Sequence, residues 1–181
     1  MPEVRLRPIR ISDAAVCFRW VTDPDVARHL GLVQPPRTEA EERAWIARAL
    51  AYPRQERAFI IEDATGRPIG TCTLRGIDRE AGSAYLGLMI GEKHLWDHGY
   101  GSSATRALLA YAFGELSLQQ VRLSCHRDNC RALRCYQKAG FSLSKRRNPD
   151  PSGYTREVHM EITRACWEGL AGGAAPKEDG S

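Results

Sequence analysis

The stretch that decides the fold is WDHGYGSSA at residues 96–104. Two glycines at alternate positions, Gly99 and Gly101, open a segment whose apolar residues then recur at helical spacing through Leu116. The first turn of a helix has unpaired N–H groups, and the helix dipole adds positive potential there. Ser102 and Ser103 add hydroxyl donors in that turn. The pattern predicts a phosphate or pyrophosphate site, although an ordinary tight helix start fits the glycines equally well.

The same letters satisfy G-x-G-x-x-A, a variant of the dinucleotide-binding fingerprint. That fingerprint requires a strand that ends at the first glycine and an acidic residue about 20 positions further on. Here the preceding strand pattern ends near Ile90, and Gln119 and Gln120 occupy the candidate acidic positions. Three hairpin-linked strands upstream also contradict a doubly wound parallel sheet. We therefore reject the dinucleotide-binding interpretation.

The segments on either side alternate between strand and helix patterns. Upstream, we expect a strand at 4–9, a helix capped by Ser12 or Asp13 through Trp20, a helix from the capping-box pair Thr38 and Glu41 to about Ala51, and strands at 58–62, 69–74 and 83–90. Downstream, we expect a strand at 121–126, a helix at 129–139 closed by Gly140 in the left-handed conformation, and strands at 141–144 and 157–162. This order predicts a mixed α/β fold, α+β-like, in which about four helices pack on a mostly antiparallel twisted sheet of six to seven strands.

Composition narrows the class of protein. The chain has 181 residues, 26 Lys+Arg against 22 Asp+Glu, and a hydrophobic fraction of 43%. These values predict one domain, over residues 1–170. The last eleven residues, 171–181, are mostly Gly, Ala and polar, so we expect a flexible tail there. No apolar run approaches the ~20 residues of a membrane span, and the N-terminus lacks the pattern of a signal peptide. We therefore expect a cytoplasmic protein without a membrane partner. A net charge of +4 is too small for a general nucleic-acid binder. The six cysteines include no C-x-x-C pair, so we expect reduced thiols and no metal site.

A second constellation is NCRALRCYQKAGF at residues 129–141. Asn129 stands where a helix cap belongs, and capping alone accounts for it. Tyr136, on the last turns of the same helix, fits a packing role against Phe141. A phenol can also donate a proton to a leaving group of similar basicity, such as a thiolate.

Together, the two constellations resemble the GNAT superfamily of acetyl-CoA-dependent N-acetyltransferases. The resemblance covers about Val4 to Ile162 and is sharpest from Tyr85 to Phe141. Residues 87–91 and 96–101 resemble the family's splayed strand and its pyrophosphate-binding turn, and residues 129–141 resemble its second signature. Within the superfamily, the pattern is most similar to the branch that acetylates ribosomal-protein N-termini (RimJ/RimL-like), which also includes enzymes acting on small amines and antibiotics.

The resemblance implies a role for each matching residue. Acetyl-CoA would be the co-substrate, bound by Leu88, Met89, Ile90, Trp96, His98, Gly99, Tyr100, Gly101, Ser102, Ser103 and Asn129, with Tyr136 as the catalytic general acid and no metal. The main chain of the splayed strand would pair with the pantetheine arm, and the turn would hold the pyrophosphate mostly through backbone N–H groups. A neutral amine would attack the thioester directly in a ternary complex. The acceptor would be a protein N-terminal α-amine or a small amine such as a polyamine, an aminoglycoside or an amino-acid-like compound.

The sequence departs from the family pattern at two points. Trp96 occupies a position that is often Gln or Arg, and the positions that commonly carry an acidic base hold Tyr85 and Ser124. Glu92, His126 or a chain of waters is left as the proton acceptor. The missing carboxylate also leaves open a non-catalytic CoA-binding sensor or interaction module on the same fold. We expect the acceptor site at the first two helices and at the loops 31–37 and 146–154, and we leave a homodimer open.

Overall fold

The computed structural model describes residues 1–28, 30, 38–144 and 157–172. The strands are β1 (Val4–Pro8), β2 (Glu56–Asp63), β3 (Pro68–Asp78), β4 (Ser83–Ile90), β5 (Gln120–His126), β6 (Ser142–Leu143) and β7 (Glu157–Thr163). The helices are α1 (Ala14–Val21), α2 (Pro24–Ala27), α3 (Glu39–Ala51), α4 (Tyr100–Gly114), α5 (Cys130–Lys138) and α6 (Arg164–Gly172), with short 3-10 turns at Ile11–Asp13 and Lys93–Leu95.

The strands form one seven-stranded sheet in the order β1-β2-β3-β4-β5-β7-β6. Every neighbouring pair is antiparallel except β4 and β5, which are parallel. The predicted fold class is therefore confirmed, including the three consecutive antiparallel strands β2, β3 and β4.

Two hydrophobic clusters cover the two faces of the sheet, as the alternation of side chains along a strand requires. Leu86 of β4 and Leu123 of β5 point into the larger cluster, which α4 fills with Ala104, Leu108 and Ala112. Ile60 of β2 and Met89 of β4 point to the other face and meet α1 and α3 through residues such as Cys17, Trp20 and Ile46. Odd-numbered β4 residues thus face α1 and α3, and even-numbered ones face α4.

The parallel pair separates soon after it forms. β4 pairs with β5 only where residues 83–85 lie beside residues 120–122, yet β4 continues to Ile90 and β5 to His126. On its other edge β4 stays paired with β3 as far as the Gly70–Ile90 pair. One backbone edge of β4 over residues 86–90 is therefore left without a strand partner in the described sheet. This divergence opens the cleft that holds the candidate site.

Local signals fixed most helix ends. The predicted capping box forms: the Thr38 hydroxyl accepts the Glu41 N–H at 3.3 Å, and the Glu41 carboxylate accepts the Thr38 N–H at 3.1 Å. Gly140 follows α5 with a φ of +99°, as expected. The expectation of a side-chain cap at the start of α1 was wrong. The Asp13 carboxylate instead accepts the Arg10 N–H at 2.7 Å and pairs with the Arg7 guanidinium at 3.0 Å.

Two helices lie outside the expectations from sequence. The Asp23 side chain caps the one-turn helix α2, which begins at Pro24. Helix α6 extends to Gly172, two residues into the expected tail, and is anchored by Arg164, whose side chain donates to the carbonyls of Leu118 and Phe113. The rest of that tail, and the loops 31–37 and 146–154 expected to hold the acceptor, fall outside the described residues.

Candidate functional site

The cleft lies between the free edge of β4 and the first turns of α4 and α5. Among the residues predicted to bind the co-substrate or act on it, those that line the cleft are Leu88, Met89, Ile90, Trp96, Gly99, Gly101, Ser102, Asn129 and Tyr136. The two sequence constellations therefore meet at one place, although Asn129 follows Gly101 by 28 positions in the chain.

The start of α4 is built to present backbone donors. Gly99, the residue before the helix, has a φ of +89°, a left-handed conformation that favours glycine. The first helical bond runs from the Ser103 N–H to the Gly99 carbonyl at 3.0 Å. The N–H groups of Tyr100, Gly101 and Ser102 have no backbone acceptor within the described chain. These donors, added to the helix dipole, make the turn beside the cleft chemically suited to an anion.

Gly101 permits the close approach of three elements. A Cβ placed at this position would lie 3.2 Å from the Cys135 sulfur on α5 and 3.7 Å from the Leu88 side chain on β4. The absence of a side chain therefore lets the start of α4 sit beside both neighbours. A larger residue here would displace the turn or fill the cleft.

Three predicted residues stand away from the cleft lining. The Ser103 hydroxyl donates to the Pro2 carbonyl at 2.7 Å, which ties α4 to the chain before β1. The His98 N–H donates to the Leu95 carbonyl at 3.4 Å, and its ring Nδ1 lies 2.7 Å from the Trp96 carbonyl oxygen. The Tyr100 side chain packs against the larger core cluster. A role for these three in binding acetyl-CoA stays a prediction.

Tyr136 projects from α5 into a buried wall of the cleft. Its ring makes an edge contact with Phe141 at a centroid distance of 5.9 Å, the packing role expected from sequence. Its hydroxyl makes no hydrogen bond to any described residue. Burial raises the pKa of the Tyr136 phenol, and the neighbouring Cys135 and Cys125 thiols raise it further. The phenol is therefore protonated at neutral pH and can serve as a proton donor.

Trp96 has a local function that its residue type explains. Its indole N–H donates to the Ile90 carbonyl at 2.7 Å, which fixes the loop 91–99 to the end of β4. The Arg131 guanidinium stacks on its ring at 3.9 Å from the centroid, a cation–π contact. This position is often Gln or Arg in the family pattern described above. Here Trp96 instead holds the Arg131 guanidinium against its ring.

Arg131 and Arg134 are cleft residues that the sequence analysis missed. Both lie on the first turns of α5 and line the cleft beside the start of α4. The Asp97 carboxylate lies 4.0 Å from Arg131 and 3.6 Å from Arg134. The sequence signal that could have identified them is the presence of arginine at the second and fifth positions after Asn129, on the first turns of the predicted helix.

The proposed proton acceptors are engaged elsewhere. The Glu92 carboxylate accepts the Trp20 indole N–H at 3.0 Å and pairs with Arg19 at 2.9 Å, outside the cleft lining. The His126 ring accepts the Asp128 N–H at 3.3 Å. Asp25, the other carboxylate in the cleft wall besides Asp97, pairs with Lys93 at 2.9 Å.

Three further structural facts bear on the expected chemistry. All six cysteines are free thiols. Within residues 1–28, 30, 38–144 and 157–172, no group of three His, Cys, Asp or Glu side chains is arranged to hold a metal ion. No helix in the described part of the chain is long and apolar enough to cross a membrane.

Residues 3–142 match the acetyltransferase (GNAT) domain family. The chain belongs to this family. Membership confirms the expected GNAT N-acetyltransferase class with acetyl-CoA as co-substrate, and the described cleft fits that molecule through the open β4 edge and the unpaired N–H groups of α4.

Comparisons with individual proteins agree with the GNAT assignment. The N-acetyltransferase p20 of Bacillus licheniformis, itself described as uncharacterized, is 28% identical over 138 residues, which are 75% of this chain and 77% of that protein. The spermidine N-acetyltransferase of Vibrio cholerae, solved with CoA and spermine, superposes with a TM-score of 0.80 at 20% identity over 91% of this chain and 98% of that one. The aminoglycoside acetyltransferase AAC(6')-Ib, solved with coenzyme A, gives a TM-score of 0.79 at 22% identity over 93% and 99%. At these identities the two structures establish the fold alone.

Proposed function

We propose that residues 1–170 form a single catalytic domain that transfers the acetyl group of acetyl-CoA to a primary amine by direct attack in a ternary complex. The observation that carries the proposal is the divergence of β4 from β5. It leaves a bare strand edge with the donor-rich turn of α4 at one end and the Tyr136 hydroxyl on the opposite wall.

The β4 edge would bind the pantetheine arm. The N–H and C=O groups on the edge of residues 86–90 that faces away from β3 lack a strand partner, apart from the Ile90 carbonyl that accepts the Trp96 indole N–H, and a peptide-like arm satisfies such groups as an added strand would. The N–H groups of Gly101 and Ser102 would bind the pyrophosphate, and the Arg131 guanidinium, held on Trp96, would neutralise part of its charge. The amide of Asn129, on the same wall, would contact the arm.

The reacting atoms would lie between β4 and Tyr136. A backbone N–H near Met89 or Ile90 would polarise the thioester carbonyl. The amine nitrogen forms a bond to the carbonyl carbon, the C–S bond breaks, and the sulfur takes a proton from the Tyr136 hydroxyl. The nitrogen loses one proton, so that an amide and a free thiol result. Water returns a proton to Tyr136.

The acceptor is proposed as a primary amine of modest basicity. The spermidine and aminoglycoside enzymes of the same fold support small amines, whereas the resemblance to ribosomal-protein N-terminal acetyltransferases supports an α-amine. In the described cleft wall both carboxylates are ion-paired, so that strong bases would be deprotonated slowly. An α-amine, with an ordinary pKa near 7.7–8.0, needs the least help at neutral pH.

Amine-dependent release of the CoA thiol from acetyl-CoA tests the proposal. The panel contains short peptides with free N-termini, spermidine and an aminoglycoside at pH 7.5, with N-acetylated peptides as the matched control. We expect thiol release equal to amide formed, fastest on α-amino peptides. Faster turnover on the alkyl amines would overturn the preference for α-amines. Binding of acetyl-CoA without transfer to any of these amines would favour the non-catalytic module instead.

A further inference from the structure

We infer that His159 on β7 accepts the proton that the acceptor amine loses. The inference rests on the proposed function, because it names the base for that same reaction. It arises from the face of the sheet opposite α4 and α5, where the amine would enter the gap between β4 and β5.

The sheet register places His159 beside that gap. His159 is the direct cross-strand partner of Ser124 on β5, and Ser124 lies two residues beyond Arg122, the last position at which β5 pairs with β4. Directly opposed residues in an antiparallel pair have Cβ atoms about 4.5–5.5 Å apart and share a face. That face is the one away from α4, since Leu123 and Cys125 point into the α4 cluster.

Small residues leave room for an amine at this level of the sheet. Counting two residues from the Tyr85–Arg122 pair puts Gly87 of β4 opposite Ser124 of β5, across the opening between the strands. Gly87 has no side chain, and the space above it is bounded by two groups of β3: the Thr73 hydroxyl lies 2.7 Å and the Arg75 guanidinium 3.7 Å from where a Cβ of Gly87 would stand. Ser124 is exposed although β5 is an interior strand of the sheet. In this inference the amine lies between Gly87 and Ser124, with His159 on the β7 side of that position.

His159 is available for proton transfer. Its half-buried ring makes no hydrogen bond or ion pair to a described residue. The charged and polar groups that face it are Glu157 and Glu161 on β7, Arg122 and His126 on β5, and Ser144 after β6. Most of these have partners of their own: Arg122 donates to the Gln120 side-chain oxygen at 2.9 and 2.6 Å, and Glu161 accepts from Gln120 and Ser144.

The proton transfer completes the proposed step. As the nitrogen bonds to the carbonyl carbon, it releases one proton to the neutral imidazole of His159, and the N–H electron pair stays on nitrogen. Sulfur leaves with the C–S pair and takes the Tyr136 proton from the opposite face of the sheet. Water then removes the proton from His159. The two proton-transfer groups therefore lie on the two sides of the β4–β5 opening, and imidazole is suited to this work near neutral pH.

The test compares His159→Gln with two control variants, His126→Gln on the neighbouring strand and His94→Gln on an exposed turn. For the full chain with its best amine, we expect His159→Gln to lower kcat at pH 7 by about 10²-fold or more and to abolish the decline of kcat on the acidic side. Acetyl-CoA affinity should stay unchanged, and both controls should keep the wild-type profile. Adding Ser124→Asp to His159→Gln should restore part of the rate, because the register sets a carboxylate at position 124 beside the lost imidazole.

The outcomes separate this inference from the proposed function. An active wild type together with an unaltered pH profile in His159→Gln overturns the role of His159 alone. A wild type that transfers acetyl to no amine overturns both. Should His159→Gln fail to fold, the ring C–H resonances of His159 in the wild-type chain provide the measurement. They must shift across the same pH range in which kcat declines, and a shift in a different range contradicts the inference.

Discussion

Replacing Tyr136 with Phe separates catalysis from packing at one atom. The ring stays in its edge contact with Phe141, and only the hydroxyl is removed. Because that hydroxyl makes no hydrogen bond to a described residue, no partner is left unsatisfied. The free energy of unfolding should therefore change by no more than about 1 kcal/mol. Loss of a general acid should lower kcat by about 10²–10⁴-fold, which corresponds to about 2.7–5.5 kcal/mol in the activation barrier.

The pH dependence of this variant carries a second expectation. Burial raises the pKa of the Tyr136 phenol, so that it stays protonated throughout an ordinary assay range. Tyr136 should therefore produce no decline of activity on the alkaline side. Tyr136→Phe should lower kcat by the same factor at every pH between 6 and roughly 10.

The assay is steady-state thiol release with saturating acetyl-CoA, together with urea unfolding and calorimetric titration of CoA. Tyr111→Phe is the matched control, since Tyr111 packs its ring against Phe59 at 5.0 Å and does not line the cleft. A general acid contributes at least about 10²-fold to kcat. If Tyr136→Phe keeps kcat within about threefold of the wild type, the role of the phenol as the acid is refuted. Loss of CoA affinity in parallel with kcat would show that the hydroxyl acts in binding instead.

Three further predictions concern the turn and the sheet. Arg131→Ala removes the cation that stacks on Trp96 and should raise the Kd of acetyl-CoA, measured by calorimetry, about tenfold. Added salt should diminish the difference between variant and wild type, and an unchanged Kd would contradict a contact between Arg131 and phosphate. Gly99→Ala forces alanine into a φ of +89° with Pro2 3.1 Å from its Cβ, and should cost about 1–3 kcal/mol in urea unfolding while weakening CoA binding. Burial raises the pKa of Glu62, but hydrogen bonds from Arg7 and Arg5 outweigh it, so the net pKa is lowered. Its stabilising effect is present above about pH 4.3, the ordinary value for Glu, and is lost as pH falls through the folded value, so Glu62→Gln should flatten the acid side of the stability curve.

Sequence reasoning performed well where a short-range rule decides the structure. The Thr38–Glu41 capping box, the left-handed Gly140 and the alternation along β2 to β4 depend on neighbours within a few residues, and they appear as predicted. Asp13 was expected to cap α1, but its carboxylate can instead accept an N–H at the start of the 3-10 turn Ile11–Asp13, and it does so here. The Arg7 side chain, brought in by β1, decides in favour of the 3-10 turn. Helix α6 depends on Arg164 bonding to carbonyls 46 and 51 positions earlier, which no local pattern reveals.

The backbone features of the candidate site could be predicted from the sequence, but its charged side chains were missed. Glycine spacing marked the start of α4, and the anion-binding turn follows from helix geometry alone. Arg131 and Asp97 line the cleft near the point where α4 approaches α5 at Gly101, so their positions depend on tertiary contacts. His159 follows from the pairing of β7 with β5 rather than from its place in the chain. Each of these residues was visible in the sequence, but the contact that gives it meaning was not.

The most direct test of the central claim is a calorimetric titration of the full chain with acetyl-CoA, CoA and NAD. The account predicts that acetyl-CoA and CoA each bind at a 1:1 ratio, that both raise the melting temperature as ligand exceeds its Kd, and that NAD does neither. Substitution of Gly101 by Val, which fills the space between α4, β4 and α5, should abolish the signal for both CoA forms. If neither CoA form binds the wild-type chain, the assignment of the cleft is wrong, and the roles of the β4 edge, the α4 turn and Tyr136 are overturned with it.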